Sequence, residues 1–153
     1  DRLARTTWPT VRRRLPAAVL HVFGGGRGLD DLDGVVRHPS PADSRTAFPE
    51  NAVVVIPERH PTGVPMKALE AWARGLPLLV DGPTAEILGA EDGVELLVAH
   101  DADGYARALA RVAADDDLRR SLIAAGRRKL RDNHDPAAVA DHLARLYRWA
   151  VER

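Results

Sequence analysis

Ala52-Val53-Val54-Val55-Ile56, then Thr62-Gly63-Val64-Pro65-Met66-Lys67-Ala68-Leu69-Glu70-Ala71-Trp72-Ala73-Arg74-Gly75-Leu76-Pro77, then Leu78-Leu79-Val80 read as strand, helix and strand in that order. Unbroken apolar runs of strand length on either side of a helix are the pattern of parallel strands buried on both faces. The spacing predicts a helix over 64–74, with Pro65 tolerated in its first turn, Gly75 as its C-cap and Pro77 just beyond. In such a unit ligands settle at the carboxyl ends of the strands, where a helix N-terminus offers free N–H groups and positive dipole to an anion. Gly63 suits that turn because a residue without Cβ lets the backbone approach a ligand closely.

Outward from this segment, strands are expected at 18–23, 34–37, 77–80 and 95–98 beside the one at 52–56. Helices are expected at 7–14, 41–48, 84–88, 104–114, 117–131 and 136–151 beside the one at 64–74. Alternation of this kind makes an α/β domain, a parallel sheet with helices on both faces. Ser40-Pro41 and Asp135-Pro136 each join a capping residue to a first-turn proline and mark two helix starts. Tyr105, Leu109 and Val112 form one apolar stripe; Val139, Leu143, Leu146 and Ala150 form another.

A chain of 153 residues is one domain with room for a real core. Lys plus Arg and Asp plus Glu both number 22, so zero formal net charge leaves no electrostatic footprint for nucleic acid or an anionic membrane. The absence of cysteine excludes disulfides, thiol catalysis and thiolate-bound metal. No apolar run approaches the length of a membrane span.

Glu70 lies beside a stripe of Met66, Leu69 and Ala73, a setting less natural for a purely solvated acid than most helical positions. Lys67, one turn earlier, either neutralises a phosphate as a point charge or pairs with Glu70 at the surface. His60 falls in the loop after the strand at 52–56, placed to touch a ligand or simply exposed. Thr84 and Asp81 come after the next strand, and either lines the pocket or caps the short helix there. Gly24-Gly25-Gly26-Arg27-Gly28 lacks the spacing of a phosphate loop and reads as a strand exit. The six histidines show no pair three or four apart on one helix, so no metal site is expected. Asp115-Asp116-Asp117 lies between two helices, where capping and dipole pairing outweigh cation binding. No Ser-His-Asp or paired-carboxylate spacing supports hydrolysis.

The run Glu70-Ala71-Trp72-Ala73-Arg74-Gly75-Leu76-Pro77 resembles the donor-binding motif of the retaining, two-domain (GT-B) glycosyltransferases of group 1, a largely bacterial type. In that family two acids eight residues apart run through a Gly-x-Pro turn into this helix. The resemblance implies that Glu70 accepts hydrogen bonds from ribose hydroxyls; the first acid, which contacts the transferred sugar, would fall where this chain has Thr62. A branch of the family carries Gly-x-x-x-Lys-x-x-Glu instead, a spacing met by Gly63, Lys67 and Glu70. Leu15–Gly24, Gly34–His38 and Asp92–Val98 are similar to the family's second, third and sixth strands with their flanks.

The resemblance implies a Rossmann-like C-terminal half of such an enzyme, residues 1–153 forming a single nucleotide-sugar-binding domain. The family's first, central strand would precede Asp1, so the runs at 18–23 and 52–56 should flank its place. By the same resemblance the donor site comprises Thr62, Gly63, Val64, Pro65, Met66, Lys67 and Glu70, with His60 and Thr84 as weaker members. The implied substrate is a nucleoside diphosphate sugar, with no metal or organic cofactor. The implied partner is an N-terminal acceptor-binding domain, without which the chain would not turn over. A cytoplasmic location is inherited from the family, any membrane association passing through the other domain. Tyr147 and Trp149 either mark the surface facing that domain or pack on this domain's own sheet. The reading from a different class is a non-catalytic module of the same fold, a degenerate donor domain or a binder of another phosphorylated small molecule.

Overall fold

A computed structural model describes residues 2–24, 28–29, 31–58 and 60–152. Within them lie five short strands, β1 (Leu20–Phe23), β2 (Val35–His38), β3 (Val54–Ile56), β4 (Leu78–Val80) and β5 (Leu97–Val98). Six helices alternate with them or come after them: α1 (Trp8–Arg14), α2 (Met66–Arg74), α3 (Gly82–Leu88), α4 (Ala102–Ala114), α5 (Asp116–His134) and α6 (Pro136–Val151). All strand pairing is parallel. β1 runs beside β2 with Leu20 opposite Val35, and β4 lies between β3 and β5 with Leu79 opposite both Val55 and Leu97. β1 and β3 do not pair directly.

The two ladders nonetheless feed one layer of core. Leu20 and Val35 pack with Val53, Val55, Leu79 and Leu97 against Trp8 and Val11 of α1 and Tyr105, Ala106 and Val112 of α4. On the opposite face Ile56, Leu78 and Val80 pack against Ala68, Ala71 and Trp72 of α2 and Ala85 and Leu88 of α3, with Leu130 of α5 alongside. Successive β4 side chains thus enter different cores and are all buried, which is why this strand reads as an unbroken apolar run. Trp72 anchors the second layer: its indole is 1% exposed and donates from Nε1 to the Glu95 carbonyl at 3.2 Å. It rests on Gly126 of α5, where an added Cβ would collide with Trp72 Cδ1 and Nε1.

Several expectations are corrected. A helix does not form over 41–48; only Ser44–Ala47 makes a 3₁₀ turn. Pro49 biases Phe48 away from helical geometry, and the Asp43 carbonyl is taken by both the N–H and the hydroxyl of Thr46, closing a tight turn instead. The first helix starts earlier than expected, through a π-helical turn at Leu3–Thr7. The buried side of α2 is Ala68, Ala71 and Trp72, whereas Met66 is 70% exposed and Ala73 is also exposed. The stripe on α6 is open as well, with Val139, Leu143 and Leu146 exposed, and neither Tyr147 nor Trp149 packs on the sheet. Tyr105 and Val112 of the α4 stripe are buried as expected, with Leu109 partly so.

Candidate functional site

Three helices on the sheet's second half begin with an aspartate that caps them. Asp81, Asp101 and Asp115 accept from the N–H groups of Thr84, Gly104 and Leu118 at 3.2, 2.7 and 2.8 Å. α2 is different. Its N-cap is Pro65, extended at φ −72° and ψ 111°, and no side chain caps the helix. Proline contributes no oxygen for that purpose, so donors of the first turn lack the side-chain acceptor given to the other three helices.

That helix start faces a cavity of about 360 Å³ lined by Glu58, Thr62, Gly63, Val64, Pro65, Met66 and Lys67. The cavity comes directly after β3 and therefore sits at the carboxyl edge of the sheet, the position where parallel α/β folds hold ligands. A Cβ added to Gly63 would meet no heavy atom within 4 Å. Gly63 therefore borders open space, and it is one of the residues lining the cavity.

Charged groups run along one flank of α2 at three- and four-residue spacing: Lys67, Glu70, Arg74. Lys67 does not pair with Glu70. Its Nζ lies 3.6 Å from Glu58 Oε2, both side chains being about half exposed. Glu70 lies one turn beyond the cavity lining and is held by two groups, the Ser44 hydroxyl, which donates to Oε1, and Arg74 Nη2, 3.5 Å from the same oxygen. The Arg74 guanidinium in turn stands 5.0 Å from the centre of the Phe48 ring.

The structure therefore gathers Thr62, Gly63, Val64, Pro65, Met66 and Lys67 around one cavity and sets Glu70 beside it. His60 is exposed and is not part of the lining; its neighbour Arg59 lies outside the described residues. Thr84 is fully buried and works from behind: its Oγ1 donates to the Glu58 carbonyl at 3.1 Å, tying the first turn of α3 to the loop after β3. Asp81 both caps α3 and lines a second cavity of about 210 Å³ on the same edge, with Arg2, Thr7, His100 and Tyr105 among its walls. Its Oδ2 is buried without an acceptor role among the described residues.

Glu58 was not foreseen from the sequence. A charged residue directly after an apolar strand, upstream of a glycine turn, was the available signal. Nor did spacing reveal that β1 and β2 bring His21 and His38 together, Nδ1 to Nε2 at 2.8 Å, with Phe23 stacked on His38. Residues from adjacent strands meet only once the register is known. Among the described residues no group of three His, Cys, Asp or Glu side chains is arranged to hold a metal ion. Gly25, Gly26 and Arg27, the middle of the glycine cluster, lie outside the described residues. Asp115 caps α5 and Asp117 pairs with Arg120 at 2.5 Å, the structural use expected of that acidic run. No helix is long and apolar enough to cross a membrane, among the described residues.

The fold is α/β with parallel strands and flanking helices, as the sequence led us to expect. Residues 5–145 match the model of the glycosyl transferase-like family, and the chain belongs to that family. It is similar to the lipopolysaccharide core biosynthesis glycosyltransferase LpsE of Rhizobium meliloti (strain 1021), with 28% identity over 145 residues. That alignment takes in 87% of this chain and 42% of the relative, so the chain spans less than half the relative's length.

Proposed function

We propose that this chain is the donor-binding domain of a glycosyltransferase and that a nucleoside diphosphate sugar lies in the cavity beside residues 62–70. The observation that carries this reading is the uncapped start of α2 opening into a cavity, with Lys67 and then Glu70 next along one flank. The diphosphate takes the free N–H groups and the Lys67 ammonium; Glu70 accepts from the ribose.

Transfer breaks the bond between the anomeric carbon and the β-phosphate oxygen while the acceptor hydroxyl bonds to that carbon and passes its proton to the departing phosphate. Negative charge then grows on the departing nucleoside diphosphate. Fixed N–H donors and a lysine placed there stabilise the transition state more than the ground state, without a protein nucleophile. Alignment of the acceptor falls to another domain of the intact enzyme, and retention of anomeric configuration is taken from the family resemblance. We assign no metal to this domain, charge neutralisation resting on α2 and Lys67.

The test is a titration of UDP, GDP, ADP and CDP against the intact protein by calorimetry, alongside Glu70→Gln. A hydrogen bond to a charged group is worth about 1.5–3 kcal/mol, so the amide should weaken the best nucleotide roughly ten- to hundredfold with the fold intact. Unchanged affinity would remove Glu70 from the site. A non-catalytic module remains the second reading, favoured by Thr62 in the place of the family's first acid and by Glu58 already engaging Lys67. Nucleotide binding by the intact protein, with no turnover of donor in the presence of any saccharide acceptor, would support it.

A further inference from the structure

We infer that Met66 is a site of reversible oxidation that closes the cavity to diphosphate: a peroxide converts its thioether to the sulfoxide, whose oxygen then competes for the groups that hold phosphate. The inference rests on the reading of the α2 start as the phosphate end of the donor site and goes beyond it to the regulation of that site.

Met66 is the single methionine of a chain without cysteine, so the only sulfur atom of these 153 residues lies in the wall of this cavity. The residue is 70% exposed and belongs to neither core cluster. A methionine held in a core is shielded, and its oxidation disrupts the packing around it. This one is open to a dissolved oxidant and has no core packing to lose. Both properties follow from the rotation of α2 that turns Ala68, Ala71 and Trp72 inward.

Its place on the helix gives the modification its effect. Met66 is the first residue of α2, and no side chain caps that end. The Ala68 N–H turns back to the Pro65 carbonyl at 2.8 Å, which among the described residues leaves the N–H groups of Met66 and Lys67 for an incoming acceptor. A thioether is a weak acceptor and hardly competes for them. A sulfoxide oxygen carries partial negative charge and accepts strongly, and the flexible unbranched chain lets it reach its own helical turn, where the dipole favours it. The oxidised side chain therefore competes with phosphate for these N–H groups and for the Lys67 ammonium.

The step balances with a peroxide as oxidant. The sulfur lone pair bonds to one peroxide oxygen as the O–O bond breaks, and with hydrogen peroxide the other oxygen takes up the proton of the first and leaves as water. Sulfur loses two electrons and the peroxide gains them. Methionine sulfoxide reductases return the thioether, one enzyme for each epimer.

The experiment uses the intact protein, the tightest binder among UDP, GDP, ADP and CDP, and the corresponding nucleoside. Calorimetry is run before hydrogen peroxide treatment, after it, and after repair by both reductases, with peptide mass spectrometry reporting the state of Met66. Oxidation should weaken the diphosphate about tenfold, the factor for one charge-assisted hydrogen bond, and the nucleoside by less than about twofold. Repair should restore the diphosphate. Met66→Leu has no sulfur to oxidise at this position and should bind diphosphate equally before and after peroxide, whatever its own starting affinity.

A Met66 left reduced by peroxide that oxidises free methionine would overturn the inference, as would unaltered diphosphate affinity in the oxidised protein or a loss that repair does not reverse. So would an equal loss for the nucleoside, or a loss of the same size in Met66→Leu, since either places the damage away from the phosphate contact. The reading beneath fails separately. If none of the four nucleotides binds the untreated protein, the donor site itself falls and takes the inference with it.

Discussion

Glu58→Gln should tighten nucleoside diphosphate binding, an outcome opposite to that of most substitutions in a binding pocket. The carboxylate lies 3.6 Å from Lys67 Nζ in the cavity wall, with side-chain exposures of 45% and 54% for the acid and the lysine. Exposed pairs of this kind are worth roughly 0.2–1 kcal/mol, because water and salt screen them. A diphosphate arriving at α2 must draw Lys67 from that partner and also approach the acid's negative charge. Removing the charge while keeping the amide's size recovers the pair energy and relieves the repulsion, about 0.5–1.5 kcal/mol together, or roughly two- to tenfold in affinity. Because both terms are screened, the gain should shrink between low salt and about 0.5 M salt, where the Debye length is well under 10 Å. Calorimetry with the best nucleoside diphosphate at two salt concentrations reads the effect, and Lys67→Ala serves as its control by weakening diphosphate far more than nucleoside. A Glu58→Gln protein that binds diphosphate equally or less well would refute the placement of phosphate beside Lys67.

The other outcomes are simpler. Gly63→Ala should melt like the parent, since no heavy atom lies within 4 Å of the added methyl, yet lose nucleotide affinity; unchanged affinity would mean that no ligand backs onto this turn. Gly126→Ala drives a methyl into the Trp72 ring and should cost about 1–3 kcal/mol, read as a lower midpoint in thermal or urea unfolding. Asp81→Ala removes the side-chain cap of α3 and should destabilise by about 0.5–2 kcal/mol in the same assay.

The parts of the fold that were legible in the sequence are those set by local chemistry. The five strands formed where strands were expected, the unbroken apolar run of β4 because it is buried on both faces, and Gly75 ends α2 in the left-handed conformation at φ 69° that glycine adopts without strain. Ser40-Pro41 misled because a capping residue before a proline permits a helix without imposing one; no helix starts there, and the one turn at Ser44–Ala47 is closed by the doubly used Asp43 carbonyl and ended before Pro49. Met66 and Ala73 looked like the buried side of α2 by apolar character, but Trp72 needs the deepest seat and rotates the helix so that Ala68 and Ala71 face inward with it. In the site, Gly63, Pro65 and Lys67 were legible from spacing along a single element. Ser44 and Glu58 were not, because their partners Glu70 and Lys67 lie 26 and 9 residues away, and only the folded chain brings those together at particular atoms.

The rotation imposed by Trp72 also decides how a ligand can lie. With Ala68, Ala71 and Trp72 inward, Lys67, Glu70 and Arg74 share an outer flank that runs up the helix from its open end. A helix rises 1.5 Å per residue, so Glu70 stands about 4.5 Å above Lys67 along the axis, roughly the step from a phosphate to the sugar that carries it. A nucleoside diphosphate can therefore lie along α2 with its charge at the N-terminus, where the dipole favours an anion, and its ribose one turn further, where the dipole no longer contributes. The reverse orientation would put phosphate against Glu70 and leave Lys67 facing an uncharged sugar. Arg74 does not rescue that orientation, because its guanidinium is already committed to Glu70 and to the face of Phe48. On the proposed donor reading, the polarity of the ligand thus follows from which side of one tryptophan-bearing helix is buried.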